Sequence, residues 1–257
     1  MKYPTNRFLS AIKNFEPQIG TWNAINFPMV AEVVASTGFD WAVIDMEHAP
    51  NEVERAMTQL QAFAAYDTAP VVRPPSTEPV VTKRLMDIGA PNLLFPMVNS
   101  GEETAAAVAS MRYPPRGIRG MAGFHRGARF GRISDYLDNV EDQTGVIVQV
   151  ESKAAVENLE EIAKTDGVDG IFFGPADLAT DMGFLGGATR PEVWQVIEEC
   201  AAEVRSWGKP SGTLVGSPSR ARELFSKGMS FVAVSTDMGV LARGLDAVLH
   251  ETKGEKS

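Results

Sequence analysis

Two apolar periods alternate along the chain. Short β-rich runs stand at Gln18–Trp22, Trp41–Asp45, Pro70–Arg73, Asn92–Pro96, Val146–Val150, Gly170–Phe173, Gly212–Val215 and Phe231–Ser235. Helix-period segments follow them at Met29–Thr37, Asn51–Ala65, Glu78–Ile88, Gly101–Met111, Ser152–Lys164, Pro191–Ser206, Pro218–Lys227 and Met238–His250. The text therefore predicts eight strands and eight helices in strict order, with a short helix over Arg7–Asn14 leading into the first strand.

The junctions carry suitable chemistry. Asn51, Ser152, Ser217 and Thr236 stand where N-caps are expected, and Pro191 and Pro218 suit a first helical turn. Gly38, Gly89, Gly167, Gly208 and Gly228 each fall just past a helix, where a left-handed residue closes it. Regular alternation implies a parallel sheet, and eight units at this length imply an α/β chain folded as a closed (β/α)8 barrel of the TIM type. An open doubly wound sheet would have fewer strands, and no Gly-x-Gly-x-x-Gly follows a strand here. One domain is expected over residues 1–250, with a frayed acidic tail over 251–257. One stretch breaks the rhythm, the insertion from Arg112 to Thr144, and long loops in compact domains often serve as lids or binding loops.

Composition narrows the function classes. The formal charge of −9 argues against general binding to nucleic acid or anionic membranes, so an anionic substrate would need a local cation in its site. The single cysteine, Cys200, excludes an intrachain disulfide framework and a thiolate metal cluster. The N-terminal residues lack the apolar core of a signal peptide, and no apolar run is long enough to span a bilayer; a cytoplasmic protein is the expectation.

Barrel enzymes carry their chemistry where strands end. The second run ends in Asp45, followed by Glu47 and His48; the third ends in Arg73; the fifth in Gln149-Val-Glu151; the sixth leads into Gly174-Pro-Ala-Asp177. Glu151 and Asp177 should project from neighbouring strand ends, where two carboxylates repel unless protonated or bridged by a cation. They suit a hard ion such as Mg²⁺ or Mn²⁺, and equally a salt-bridged or solvated acid pair. Arg73 can grip a carboxylate through its planar fork, or pair with a mouth acid of the protein itself. The backbone N–H groups of Ala176 and Asp177 offer a second anchor for that carboxylate, although Gly174-Pro taken without its neighbours reads as an ordinary turn. His48 suits proton transfer, with Asp45 to orient it, and Glu47 is either a support or a solvated loop residue. His125, in the insertion, is a candidate substrate contact. Lys83, Lys164 and Lys227 fall on helices, Lys209 precedes its strand, and Lys153 sits in a first helical turn, so a metal route is favoured over a Schiff base.

With these residues assembled, the chain resembles the HpcH/HpaI aldolase/citrate lyase family, the metal-dependent (class II) pyruvate aldolases of the phosphoenolpyruvate/pyruvate-type barrels. Within it, the resemblance is to the branch acting on 4-hydroxy-2-oxoheptanedioate and 2-keto-3-deoxy sugar acids. The matching stretches are Gly38–Pro50, Pro70–Pro74, Leu85–Gly89, Pro96–Val98, Arg112–Gly120, Gln149–Glu151 and Gly167–Leu178, spread over roughly residues 18 to 245. The resemblance implies reversible cleavage of a 4-hydroxy-2-oxo acid to pyruvate, or hydroxypyruvate, and an aldehyde through a metal-stabilised enolate. It implies one divalent ion per subunit (Mg²⁺, Mn²⁺ or Co²⁺) on Glu151 and Asp177. A substrate site of Arg73, Gln149, Gly174, Ala176 and Asp177 follows from it, with Leu214 as an apolar wall. His48, supported by Asp45, would move protons and Arg73 would stabilise the enolate. Relatives are homohexamers, trimers of dimers with a swapped C-terminal helix, in which the residue matching Asp87 acts across an interface. The chain departs from the family in Met121–Phe130, where His125 or Arg126 could contact the aldehyde side. The alternatives are a mutase-like enzyme using the same metal–enolate chemistry, or a non-catalytic binding module.

Overall fold

A computed structural model describes residues 1–254. The eight strands are β1 (Gln18–Asn23), β2 (Trp41–Asp45), β3 (Ala69–Arg73), β4 (Asn92–Phe95), β5 (Gly145–Val150), β6 (Gly170–Phe173), β7 (Ser211–Leu214) and β8 (Phe231–Thr236). All pair in parallel and in sequence order, and β8 closes onto β1. The helices around them begin with α1 (Arg7–Lys13), α2 (Pro28–Ser36), α3 (Val53–Phe63), α4 (Pro79–Asp87), α5 (Gly101–Met111) and α6 (Tyr136–Asn139). They continue with α7 (Lys153–Glu157), α8 (Leu159–Lys164), α9 (Pro175–Asp181), α10 (Pro191–Ser206), α11 (Pro218–Ser226) and α12 (Asp237–Lys253). The expected closed (β/α)8 barrel is the observed fold. No described helix is long and apolar enough to cross a membrane.

Alternation along the strands divides the core in two. Ala42, Ile44, Val72, Leu93, Val148 and Phe173 face outward and pack beneath the helices. Trp41, Val43, Val71, Leu94, Ile147, Phe172 and Phe231 fill the barrel interior, where α1 joins them with Phe8, Leu9 and Ile12. The ring of Phe8 lies 5.5 Å from Trp41 and 5.9 Å from Phe231, so α1 is a plug in the strands' N-terminal end rather than a mere lead-in. Gly20 is required here by space: a Cβ would stand 2.2 Å from the Trp41 ring.

Several local expectations change. Asn51 is not an N-cap; the cap of α3 is Glu52, which makes no side-chain bond, and Asn51 is buried and used elsewhere. The helix expected over Ser152–Lys164 is two helices, α7 and α8, broken at Asn158. Two short helices, α6 and α9, were not anticipated; each is under two turns, too short to show a period. Ser152, Ser217 and Thr236 do cap their helices, and the five closing glycines all have positive φ. The tail expected to fray from Glu251 instead continues α12 to Lys253, closed by left-handed Gly254; residues 255–257 lie outside the described residues. α12 buries none of its residues, and Met238, Val240, Leu241, Leu245, Val248 and Leu249 are all exposed.

Candidate active site

The interior series of each strand continues upward into polar residues. Trp41 and Val43 lead by twos to Asp45, Val71 to Arg73, and Ile147 to Gln149 and then Glu151. The apolar plug thus hands over to charge at the strands' C-terminal end, and the register sets Asp45 beside Arg73.

Arg73 is the best-held of these groups. Its Nε and Nη2 donate to Asp45 Oδ1 and Oδ2 at 2.9 and 2.7 Å, a two-pronged pairing, and Nη1 lies 2.7 Å from Glu47 Oε2. The Trp22 ring sits 4.9 Å from the guanidinium carbon, and its Nε1 donates to Asp45 Oδ2 at 3.2 Å. Of the five N–H groups of an arginine, the Nε–H and one Nη2–H are spent on Asp45, so the second Nη2–H and those of Nη1, which is ion-paired with Glu47, stay available to a ligand. Burial alone would raise the Asp45 carboxyl, but the hydrogen bonds and charge of Arg73 hold it below its usual value. Glu47 is raised, chiefly by burial, with Arg73 and His48 opposing.

This corrects the assignment of Asp45. Its carboxylate is spent on Arg73, Trp22 and the Glu47 N–H, and reaches His48 only at the backbone, 3.4 Å away. The His48 imidazole is 67% exposed, with Glu47 Oε2 its nearest carboxylate at 3.9 Å. Glu47, left open by the sequence, is turned toward Arg73 rather than into solvent.

Across the mouth, Glu151 is buried. Its Oε1 accepts from the Met97 N–H at 2.8 Å and its Oε2 from Gln149 Nε2 at 2.6 Å. Burial pushes its carboxyl up to about 7, with Asp177 and Glu47 adding and the Met97 N–H and Arg73 opposing. Gly174 makes this possible through space: a Cβ there would stand 2.2 Å from Glu151 Oε2. Asp177 follows in the first turn of α9, exposed to the mouth, as does Ala176. Among the described residues, no three His, Cys, Asp or Glu gather closely enough to hold a metal unaided. Glu151 and Asp177 nevertheless offer carboxylate oxygens alone, a donor chemistry that fits a hard divalent ion with positions left open for substrate or water. Leu214 ends β7 half-buried, lining a cavity with Pro175, Trp194 and Val215.

A chain of buried amides supports the β2 loop. Asn23 Nδ2 donates to Gln59 Oε1 at 2.5 Å, Gln59 Nε2 to Asn51 Oδ1 at 2.7 Å, and Asn51 Nδ2 to the Asp45 carbonyl at 2.5 Å. None of the three was anticipated as part of the site, because an amide on a helix or strand end carries no motif.

Two expected residues are not at this mouth. α4 descends from the strand tops, so Asp87 at its end lies at the opposite face, where it accepts from Arg119 Nη2 at 2.7 Å. His125 is buried beside it: Nδ1 is 3.2 Å from the Asp87 carbonyl and the ring meets Tyr136 edge-on at 5.2 Å. Burial lowers the His125 pKa. The insertion folds back onto the end of α4 through Gly127 N–H and Arg126, so it forms no lid over its own barrel.

Comparison with known proteins decides the family. Residues 18–244 match the model of the HpcH/HpaI aldolase/citrate lyase family. The chain belongs to that family. Its 4-hydroxy-2-oxo-heptane-1,7-dioate aldolase relative from Salmonella dublin is 46% identical over 253 residues, covering 98% of this chain and 96% of the relative. A crystal structure of a HpcH/HpaI aldolase/citrate lyase family protein from Burkholderia cenocepacia J2315 superposes with TM-score 0.93 at 39% identity, covering 97% of this chain and 100% of that one. A citrate lyase β subunit from Mycobacterium tuberculosis, solved with oxaloacetate and magnesium, shares the fold at TM-score 0.55 and 17% identity, covering 87% and 93% of the two chains. The expectation of an aldolase, a carbon–carbon lyase, holds for this family member.

Proposed function

We propose that this family member is a divalent-metal aldolase that reversibly cleaves a 4-hydroxy-2-oxo acid to a 2-oxo acid, pyruvate or hydroxypyruvate, and an aldehyde. The observation that carries the reading is that a guanidinium, Arg73, held by Asp45, and two further carboxylates, Glu151 and Asp177, stand near enough at one barrel mouth to feel each other's charge. Glu151 and Asp177 would hold the ion (Mg²⁺, Mn²⁺ or Co²⁺), which when bound supplies the positive charge that enolate formation requires. Arg73, fixed by Asp45, Glu47 and Trp22, turns its remaining N–H groups toward the negative charge that develops as the carbon–carbon bond breaks. Because the two-pronged bond to Asp45, the Glu47 charge and the Trp22 ring already fix it, the guanidinium needs little reorganisation when the charge appears. Gln149 Oε1, buried and unpartnered, is placed to take a donor from substrate or water. His48 moves the proton of the 4-hydroxyl, directly or through water, and its exposure leaves it open to that exchange. The Ala176 and Asp177 N–H groups anchor the 2-oxo acid carboxylate, and Leu214 bounds the aldehyde side.

Assembly completes the proposal. The apolar, wholly exposed face of α12 calls for a partner, which supports a swapped C-terminal helix within a homohexamer. In such a particle Asp87 and the 121–131 loop, remote from their own mouth, would serve a neighbouring one. A cytoplasmic location fits this chemistry. The test is product analysis on a panel of 4-hydroxy-2-oxo acids with Mg²⁺, Mn²⁺ or Co²⁺: 2-oxo acid and aldehyde appear in equal amounts and EDTA abolishes turnover. Turnover that survives exhaustive chelation refutes the metal role, and failure with every substrate refutes the aldolase.

A further inference from the structure

Met97 is one of the few non-glycine residues with positive φ, at 52°, and it stands at the mouth in the loop after β4. An L residue in the left-handed region crowds its Cβ against its own backbone, so the conformation persists only where surroundings enforce it. The side chain does not enforce it, being 49% exposed. Its neighbours contribute: Phe95 and Val98 are both fully buried, so the chain reverses between two fixed points.

Asn99 supplies the remaining hold. Its Nδ2 donates to the Met97 carbonyl at 2.9 Å, and its Oδ1 accepts from Ser152 Oγ at 2.5 Å. Its own N–H donates to Glu103 Oε2 at 2.7 Å and its carbonyl accepts from Asn158 Nδ2 at 2.8 Å. Every polar group of Asn99 is thus engaged, and two of its partners, Ser152 and Asn158, flank α7, which starts just after Glu151. The break between α7 and α8 falls at Asn158, the residue that reaches back to Asn99. The clasp therefore ties the loop after β4 to the loop after β5. Its product is the aim of one N–H group, that of Met97, at Glu151 Oε1, 2.8 Å away.

We propose that Asn99 is a positioning residue: by holding Met97 in the left-handed conformation it keeps the Met97 N–H on Glu151 and fixes the direction in which that carboxylate faces the metal-binding position. The proposal rests on the reading of Glu151 as a metal ligand, but the geometry it asserts can be measured without metal. Glycine adopts positive φ without the Cβ penalty, so Met97→Gly lets the N–H reach Glu151 with less dependence on the clasp.

The test compares wild type, Asn99→Ala, Met97→Gly and the double variant. Calorimetric titration with Mn²⁺ should show Asn99→Ala binding at least tenfold more weakly, Met97→Gly within threefold of wild type, and the double variant within threefold of Met97→Gly. Amide hydrogen exchange in the segment 95–99 should accelerate at least tenfold in Asn99→Ala over wild type, and by a smaller factor in the double variant over Met97→Gly. Wild-type affinity and exchange in Asn99→Ala overturn the proposal. So does an Asn99→Ala effect of the same size in both backgrounds, since Asn99 would then act other than through Met97. Wild-type protein that binds no Mn²⁺ refutes the metal assignment instead, and the exchange comparison then decides the clasp by itself.

Discussion

Gly174→Ala adds one methyl group at the point where the site has no room for it. The backbone at Gly174 has φ −96°, which any residue can adopt, so the consequence is one of space alone. The new Cβ would lie 2.2 Å from Glu151 Oε2, 2.8 Å from Glu151 Cβ and 3.3 Å from Cδ. Relief to ordinary contact requires the carboxylate to withdraw by roughly 1 Å. Withdrawal strains the 2.6 Å bond from Gln149 and the 2.8 Å bond from the Met97 N–H. Forcing a methyl group into a packed site costs about 1–3 kcal/mol, and a weakened hydrogen bond to a charged group about 1.5–3 kcal/mol when lost outright. A stability loss of about 2–4 kcal/mol is expected, allowing for partial relaxation. Mn²⁺ affinity should fall at least tenfold, about 1.4 kcal/mol or more. Urea unfolding reads the first and calorimetry the second. Gly216→Ala is the control, because a Cβ there meets nothing within 4 Å. If Gly174→Ala matches wild type in both measurements, the packing argument and the placement of Glu151 are wrong together.

Asp45→Asn removes one charge from a buried pair and should cost about 3 kcal/mol, moderated by Glu47, which still faces Arg73. The Asp45 pKa is depressed on folding, so its contribution is complete above 3.8 and fades as pH falls through the lower folded value. Urea midpoints at pH 7 and 5 should show the same gap from wild type and at pH 3.5 a smaller one; a gap that widens in acid contradicts the sign. Gln59→Leu strands the Asn23 donor and the Asn51 acceptor in the core and should destabilise by about 2–4 kcal/mol, with loss below 0.5 kcal/mol showing that the amide chain is replaceable. Leu241→Glu with Leu245→Glu places two carboxylates on the α12 face. Sedimentation should then report a smaller particle than wild type, and an unchanged size assigns assembly to another surface.

Much of this was legible in the chain. The two-residue period that identifies Val43, Val71 and Ile147 as interior also assigns Asp45, Arg73, Gln149 and Glu151 to the interior, because a strand cannot change face without a bulge. That is why strand ends could be read as a site. What could not be read is which charge meets which. Asp45 was expected to orient His48 and instead grips Arg73, since adjacent strands in register bring those two together while the bend through Met46 and Glu47 carries the imidazole away. Position on the far face was equally hidden: His125 lies in a loop whose length alone suggested a lid, but whose Gly127 and Arg126 bond to the end of α4. Spacing along the chain carries no record of such contacts.

The amide chain from Asn23 through Gln59 and Asn51 has a direction, because each member donates to the next and the last to a main-chain carbonyl. Gln59→Glu would supply an acceptor where Asn51 Oδ1 needs a donor, and Asn51→Asp would leave the Asp45 carbonyl without one. No member can change its hydrogen-bonding sense while the other two stand. The three positions therefore form one unit of heredity spread over β1, α3 and the β2 loop, able to drift only by concerted replacement. Anyone transplanting α3 from a relative must carry all three or rebuild the loop that bears Glu47 and His48.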